Sequence, residues 1–173
     1  MSNGQAIDAL EPHDLGSGVD QYLTFIMADE EYGIDILRVQ EIKGWDSVTP
    51  LPNTPEYVKG VINLRGTIVP IIDLRERFGL ETVPYGTTTV VIMLKVMSDK
   101  GQRIMGIVVD AVSEVYNVAS DDLKPAPDFG GAVESEVVKG LATVEEKMVI
   151  LLDIDHLLDV AEIKLQNTIA ETA

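Results

Sequence analysis

Side chains able to perform nucleophilic or acid–base catalysis are scarce in this chain. His13 lies in a polar N-terminal stretch without periodicity, and His156 follows Asp155 in an acidic segment with helical spacing. A catalytic triad needs a nucleophile, a base and an orienting acid in one fixed geometry. The chain lacks the Gly-x-Ser-x-Gly motif that presents a serine nucleophile. The sequence therefore predicts no catalytic residue and no enzyme activity.

Metal and cofactor sites are not indicated either. The chain has no cysteine, which excludes disulfides, thiolate-bound zinc and iron–sulfur clusters. Neither a P-loop nor a Gly-x-Gly-x-x-Gly phosphate-binding motif occurs in the sequence. Asp121 and Asp122, like Glu145 and Glu146, are adjacent acids, but neighbours on a strand point to opposite faces. We therefore expect no metal ligand and no cofactor.

One catalytic alternative stays open because the chain carries 29 acidic residues. Two of these carboxylates could meet in the fold and act as a general acid and base. A small β-barrel enzyme or ligand-binding domain of this kind requires a concave polar pocket with convergent acids of perturbed pKa. The structure can therefore separate this alternative from a protein that only binds other proteins.

The charge of the chain bears on its partners. The formal net charge is −16, and the 13 basic residues form no run, so nucleic acid is not an expected partner. The longest purely apolar runs, 90–94 and 148–152, are far shorter than the roughly twenty residues that span a bilayer. We expect a cytoplasmic protein without direct membrane insertion. Its acidity either maintains solubility or favours docking to a basic partner.

The chain contains one pattern twice. Residues 33–36, 39–42, 59–61 and 68–73 correspond to residues 106–109, 112–115, 139–141 and 148–153. Pro50 and Pro52 likewise correspond to Pro125 and Pro127. The offset grows from 73 to 80 positions, as expected if the second copy has an insertion near residues 128–131. Two copies are too few for a solenoid and instead predict a duplicated architecture.

The elements that would carry these copies are short strands. Apolar and β-branched runs separated by Gly, Pro and Asp turns are typical of barrels or sandwiches. Two similar halves of this kind indicate two small barrels packed together. The run 68–72 is apolar throughout, so we expect it to be buried on both faces. Helix and strand cannot be separated for residues 39–42 from their pattern.

Three helices are predicted among the strands. Asn53 or Thr54 could cap a helix that has Pro55 in its first turn and ends before Gly60. Asp73 could cap a second helix over 74–78. The third is an amphipathic C-terminal helix over 156–173, whereas residues 1–19 are expected to form a flexible tail.

Arg65 is unusual because it lies between Leu64 and Gly66 in apolar surroundings. A guanidinium is costly there unless it is paired. Two interpretations are open: an internal pair, for which Glu41 is a candidate, or contact with a partner protein.

The segment from Tyr57 to Arg75, YVKGVINLRGTIVPIIDLR, resembles the hallmark stretch of the CheW family, the coupling proteins of bacterial chemotaxis. Residues 31–37, 39–42, 106–110 and 125–127 are similar to further stretches of that family in the same order. The resemblance extends from about residue 21 to residue 158 and is specific because several separated motifs match.

The resemblance implies two tandem SH3-like, five-stranded β-barrels that exchange C-terminal strands. It implies a CheW-like domain over 20–158, formed by interlocked repeats 20–84 and 85–158, and a C-terminal tail over 159–173. It also implies a non-catalytic adaptor that links the cytoplasmic tip of transmembrane chemoreceptors to the regulatory domain of the histidine kinase CheA, recruited to membrane receptor arrays.

Binding residues are carried over from the motifs of the family. The positions implied to contact receptor or kinase are Val39, Glu41, Lys59, Gly60, Asn63, Arg65, Thr89, Val90 and Val91. At Gly60 the absence of a side chain is expected to allow a partner to approach closely.

Overall fold

The computed structural model describes residues 19–98, 101–125 and 137–158, which are mostly β-strands. The first repeat contains β1 Val19–Met27, β2 Glu30–Asp35, a 3₁₀ turn Ile36–Arg38, β3 Val39–Gly44, β4 Val58–Leu64, β5 Thr67–Asp73 and helix α1 Leu74–Arg77. The second contains β6 Val90–Ser98, β7 Gly101–Val109, β8 Ala111–Ala119, a 3₁₀ turn Ser120–Asp122, β9 Leu123–Lys124, β10 Val138–Val144 and β11 Lys147–Leu152. Residues 154–158 are helical.

Some predictions fall on other parts of the chain. The predicted tail lies outside the described residues except for Val19, which begins β1. The same holds for the predicted C-terminal helix beyond residue 158 and for the insertion near residues 128–131.

The two repeats exchange strands. One sheet has the order β8-β1-β2-β11-β10-β9, and the other has the order β3-β6-β7-β5-β4. We call the first barrel A and the second barrel B. The first hairpin of each repeat therefore pairs with the C-terminal strands of the other repeat, which confirms the predicted exchange. Barrel A exceeds the predicted five strands only by the two-residue β9.

Gly33 and Gly106 occupy equivalent places in the two barrels. In the parallel pair of each barrel a glycine lies opposite a large apolar residue, Gly33 opposite Leu151 and Gly106 opposite Ile71. A Cβ at Gly33 would lie 2.8 Å from Leu151, and one at Gly106 would lie 2.7 Å from Ile71. Packing of the exchanged strands thus explains why the same residue type occurs in both copies.

An apolar layer between the barrels forms the largest cluster of buried residues. Ile92 and Leu94 of β6 point into this layer, whereas Val91 and Met93 point into barrel B. Residues 91–94 of β6 are therefore buried on both faces of the sheet. Removing each such side chain from water stabilises the fold by about 1.5–3 kcal/mol. Fully or nearly fully buried members of this inter-barrel layer include Phe25, Met27, Ile34, Ile72, Leu74, Ile92, Leu94, Met105, Ile107, Leu157 and Leu158.

The local predictions had mixed outcomes. Helix α1 is confirmed, with the Asp73 side chain accepting a hydrogen bond from the N–H of Glu76. The helix predicted from Asn53 is wrong: residues 53–57 contain turns but no helix, and Asn53 has φ 58°, which does not begin a helix. The run 68–72 is not buried throughout, since Ile68 is 60% exposed next to the β4–β5 turn. Residues 39–42 belong to a strand, because they pair with β6.

Contrary to the expectation from the sequence, the two pairs of adjacent acids do not lie on strands. Asp121 and Asp122 belong to a 3₁₀ turn, and Glu145 and Glu146 form the turn between β10 and β11. Both glutamates have positive φ, 50° and 69°. The argument from alternating strand faces therefore does not apply to either pair.

An ion pair stabilises each of the two connections in which the chain crosses from one barrel to the other. Between β7 and β8, the Asp110 carboxylate accepts hydrogen bonds from Arg75 at 2.9 and 2.7 Å and from the N–H of Ala28 at 3.0 Å. Between β2 and β3, Arg38 donates to Asp155 at 2.9 and 2.7 Å. The acid and the base have exchanged places between the two crossovers, but each crossover keeps a bidentate pair, the stronger form of such contacts.

The crossover pairs predict an acid-sensitive fold. Hydrogen bonds from Arg75 hold the pKa of Asp110 below its ordinary value of 3.8. Burial disfavours ionised Asp155, but hydrogen bonds from Arg38 and from the N–H of Met97 give its pKa a net downward shift. A carboxylate with a lowered folded-state pKa stabilises the fold above its unfolded pKa and loses that contribution as the pH falls through its folded pKa. We expect the free energy of unfolding to decrease below about pH 4, as measured by urea denaturation.

The variant Asp110→Asn should reduce this acid dependence and lower stability at pH 7, because it leaves Arg75, with 16% side-chain exposure, without its anionic partner. Asp121→Asn, at an exposed residue of a 3₁₀ turn, is the matched control and should behave as the parent protein does. An unchanged acid dependence in Asp110→Asn would contradict the role assigned to this pair.

Gly60 predicts a second stability effect. It has φ +146°, and a Cβ there would overlap the carbonyl group of Thr49. Gly66 also has positive φ, +92°, but faces open space. We expect Gly60→Ala to lower the free energy of unfolding by about 3 kcal/mol, and the control Gly66→Ala by about 1 kcal/mol, the cost of a side chain at positive φ. Equal losses in urea denaturation would show that the Thr49 contact is unimportant.

Candidate protein-docking surface

The nine predicted binding residues all lie in or beside the strands of barrel B. Three of them lie at one turn: Asn63 is the last residue but one of β4, Arg65 lies in the turn that follows, and Glu41 reaches this turn from β3. Strands β3 and β4 are the two edges of the sheet, so the contact between Glu41 and Arg65 helps to close the barrel. We call Glu41, Asn63 and Arg65 the turn cluster.

The turn holds Arg65 in a defined position. Arg65 has φ 50° and Gly66 has φ 92°. The Asn63 side chain accepts a hydrogen bond from the N–H of Gly66 at 2.7 Å. The Arg65 guanidinium forms an ion pair with Glu41, yet the Arg65 side chain remains 69% exposed. The inference of apolar surroundings was wrong. Of the two interpretations left open, the internal pair with Glu41 is present, and the exposure of the Arg65 side chain leaves its guanidinium accessible to a partner as well.

A pocket of about 200 Å³ lies beside the turn cluster. It is lined by residues 43–48, which are the end of β3 and the segment after it, by Ile62 and Asn63 of β4, by Ile71 of β5, and by Val91 and Met93 of β6. Trp45 packs edge-to-face on Tyr85 with ring centroids 4.5 Å apart. The sequence reasoning did not identify Trp45, although it is the only tryptophan of the chain.

Exposed apolar side chains lie on strands next to the turn cluster. Ile42, which follows Glu41, is 42% exposed, and Ile68, three residues after Arg65, is 60% exposed. Apolar groups together with an arginine are typical of protein interfaces. The patterns that predicted buried strands did not distinguish these two residues from core residues.

The remaining predicted residues are less accessible. Thr89 and Val91 are 8% and 4% exposed. The Thr89 carbonyl accepts a hydrogen bond from the N–H of Trp45 at 3.0 Å. Thr89 therefore holds the backbone of Trp45, a residue that lines the pocket. Val39 and Val90 pack against the inter-barrel layer. These residues can shape the surface, but their side chains offer little area to a partner.

Lys59 and Gly60 lie towards the α1 end of β4, away from the turn cluster. Lys59 pairs with Glu76 of α1. The group that a Cβ at Gly60 would meet belongs to the chain itself, the carbonyl of Thr49. The structure therefore gives both residues a role in the fold.

The alternative of a carboxylate site can be tested at a pocket of about 520 Å³ near α1. Two of its acids have structural partners: Asp73 accepts hydrogen bonds from Tyr85 and from the N–H of Glu76, and Glu76 pairs with Lys59. Burial, followed by the contact with Asp73, raises the pKa of Tyr85, which therefore remains a hydrogen-bond donor. The arrangement is that of a helix cap and an ion pair, which does not favour an acid–base pair for catalysis.

Within the described ranges, no group of three or more histidines and carboxylates is placed to hold a metal ion. No helix among the described residues is long and apolar enough to cross a bilayer.

Comparisons with known proteins agree with this architecture. Residues 21–162 match the family model of the CheW-like domain. The chain is 48% identical over 152 residues to the chemotaxis protein CheW of Klebsiella aerogenes, covering 88% of this chain and 89% of that protein. It is 36% identical to the chemotaxis protein CheW of Rhizobium meliloti over 141 residues, covering 82% of this chain and 88% of that protein.

A solved structure gives the same result at the level of the fold. The crystal structure of the scaffolding protein TtCheW from Thermoanaerobacter tengcongensis superimposes with a TM-score of 0.72 at 33% identity, covering 80% of this chain and 87% of that chain. With a family model that spans most of the sequence and relatives well above 30% identity, the chain belongs to the CheW-like family.

Proposed function

We propose that this chain is a non-catalytic adaptor that couples the cytoplasmic tip of transmembrane chemoreceptors to the regulatory domain of the histidine kinase CheA. The observation that carries the proposal is its 48% identity, over nearly the whole chain, to a protein named chemotaxis protein CheW. In this role it works in the cytoplasm and is recruited to receptor arrays at the membrane. We assign the role to residues 20–158, the two interlocked repeats 20–84 and 85–158.

The geometry of barrel B is suited to such docking. The turn cluster presents an exposed guanidinium whose position is fixed by Glu41 and by the tight turn at Gly66. Ile42 and Ile68 supply exposed apolar area nearby. An amphipathic helix can place its apolar face on such a patch while a polar contact fixes its register.

The nine predicted residues then have different roles. Glu41, Asn63 and Arg65 would contact the partner. Val39, Lys59, Gly60, Thr89, Val90 and Val91 would hold the surface in shape, because they are buried, packed against the core or paired within the fold.

Reconstitution tests the adaptor role. With receptor-containing membranes, purified kinase and this chain, we expect phosphorylation by the kinase to respond to receptor ligand only when the chain is present. The chain alone should not phosphorylate or hydrolyse nucleotide. Ligand-dependent kinase activity that is unaffected by omission of the chain would contradict the proposed coupling.

Reversal of the exposed charge tests the assigned surface. We expect Arg65→Glu to weaken co-sedimentation with receptor membranes and kinase about tenfold, because it places two like charges in the turn cluster and removes the partner's contact. The fold should be retained, since Arg65 is largely exposed.

Lys124→Glu is the matched control, because it makes the same charge change at an exposed position of β9. The double variant Glu41→Arg with Arg65→Glu restores an ion pair in the turn cluster with reversed polarity. It should recover stability in thermal unfolding without recovering assembly. Normal assembly by Arg65→Glu would mean that this surface does not dock the partners.

A further inference from the structure

The turn between β10 and β11 in barrel A is the counterpart of the turn that contains Arg65 in barrel B. Leu64 pairs with Thr67 across one turn, and Val144 pairs with Lys147 across the other. Four residues earlier in each strand the same bulge occurs, where Gly60 pairs with Ile71 and Gly140 pairs with Leu151. Counting from these bulges places Glu145 at the position of Arg65, with the same φ of 50°.

Glu114 likewise occupies the position of Glu41. In barrel B, Glu41 pairs with Met93, which pairs in turn with Gly106. In barrel A, Thr24 pairs with Gly33 and exchanges hydrogen bonds of 2.8 and 3.0 Å with the backbone of Glu114. Because Gly33 and Gly106 are equivalent, Glu114 and Glu41 stand at the same place in the two barrels.

The charges at this place differ. Barrel B joins Glu41 to Arg65 in an ion pair. Barrel A has Glu114 and Glu145 instead, so its turn carries two acids where barrel B carries an acid and a base. Among the described residues, no lysine or arginine forms an ion pair with Glu114 or Glu145.

A third carboxylate, that of Glu31, lies inside barrel A. Glu31 of β2 is only 9% exposed, and its Oε2 has no hydrogen-bond partner among the described residues. Glu31 is two residues from Gly33, so both face the interior of barrel A. An unpartnered buried oxygen of this kind is costly, because its lost hydration is not replaced.

The buried Tyr116 lies beside one of these carboxylates. Its hydroxyl lies 3.2 Å from a carboxylate oxygen of Glu114. Burial, this contact and the negative charges of Glu114, Glu145 and Glu31 together raise the pKa of Tyr116 to about 12. The charges that raise the pKa of this hydroxyl are therefore all those of acids.

We propose that Glu31, Glu114 and Glu145, which we call the acidic mouth of barrel A, form a docking site for an arginine side chain of a protein partner. The partner's guanidinium would take the place that Arg65 fills within barrel B, and its several N–H donors could satisfy the oxygens of more than one carboxylate. Glu114 and Glu145 are exposed, so the site is open to a partner.

The surroundings favour a protein as the source of the arginine. Val115, next to Glu114, is 48% exposed, and Met148, three residues after Glu145, is 60% exposed. They correspond to Ile42 and Ile68 in barrel B. A cationic side chain flanked by apolar contacts is a usual feature of protein interfaces.

A small probe tests the site without receptor or kinase, so its result is independent of the proposed adaptor function. The probe is Nα-acetyl-arginine amide, titrated into the ¹⁵N-labelled full chain, and Nα-acetyl-citrulline amide is the neutral control of nearly the same shape. We expect saturable shifts of the backbone amides of Glu31, Glu114, Tyr116 and Glu145 with the arginine compound only. Equal shifts with citrulline, shifts confined to other residues or no saturable shifts would overturn the proposal.

A charge reversal in the turn gives a second, independent readout. Glu145→Arg installs the guanidinium within the chain, at a φ that Arg65 already adopts. It should weaken binding of the arginine probe at least about tenfold and raise the midpoint of thermal unfolding by about 3 °C. Glu81→Arg makes the same charge change at an exposed position of the connection between α1 and β6. An equal rise of the midpoint in this control would mean that Glu145→Arg only reduces the net charge, and it would overturn the proposal.

Discussion

The apolar layer between the two barrels is the constraint on which the rest of the structure depends. The first hairpin of each repeat lies in a barrel completed by the other repeat, so neither repeat can bury its strands alone. The hairpin strands must then be apolar on both faces, one towards the barrel interior and one towards the layer, as Val91 and Ile92 illustrate. The glycines at 33 and 106 follow from the same constraint, because the exchanged strands leave no room for a Cβ.

Strand exchange also explains the polar contacts that both copies retain. The chain must cross between barrels after β2 and again after β7, and each crossing has a bidentate pair of an arginine and an aspartate. The two pairs have opposite polarity, which shows that the geometry of the crossing requires complementary charges but not a particular order. The exposed turns do not keep complementary charges in both copies. Barrel B has a complete ion pair there, and barrel A has three carboxylates.

The two barrels thus have a similar backbone arrangement but differ in the charges on their surfaces. Equivalent exposed apolar residues, Ile42 and Val115 or Ile68 and Met148, occur in both barrels, while the turn beside them carries an arginine in barrel B and a glutamate in barrel A. Under the proposed adaptor function, these two surfaces could serve two different partners. Such a function needs fixed surfaces and no reaction cavity, which is consistent with the structural roles of Asp73 and Glu76 in the pocket near α1.

The sequence was sufficient to predict the duplication, the strand-rich fold, helix α1 and its cap, and the family to which the chain belongs, because these depend on local patterns and on motifs in a fixed order. It did not exclude a helix at Asn53, where a positive φ imposed by the connection to β4 overrides a plausible cap. Nor did it show that Ile68 is exposed or that Gly60 meets Thr49. These points depend on the tertiary structure, which also places Glu31 in the same barrel as Glu114 and Glu145, whereas Glu41 was already a candidate partner of Arg65 from the sequence. Barrel closure joins strands that are far apart in the chain, and no local pattern specifies which side chains meet across that closure.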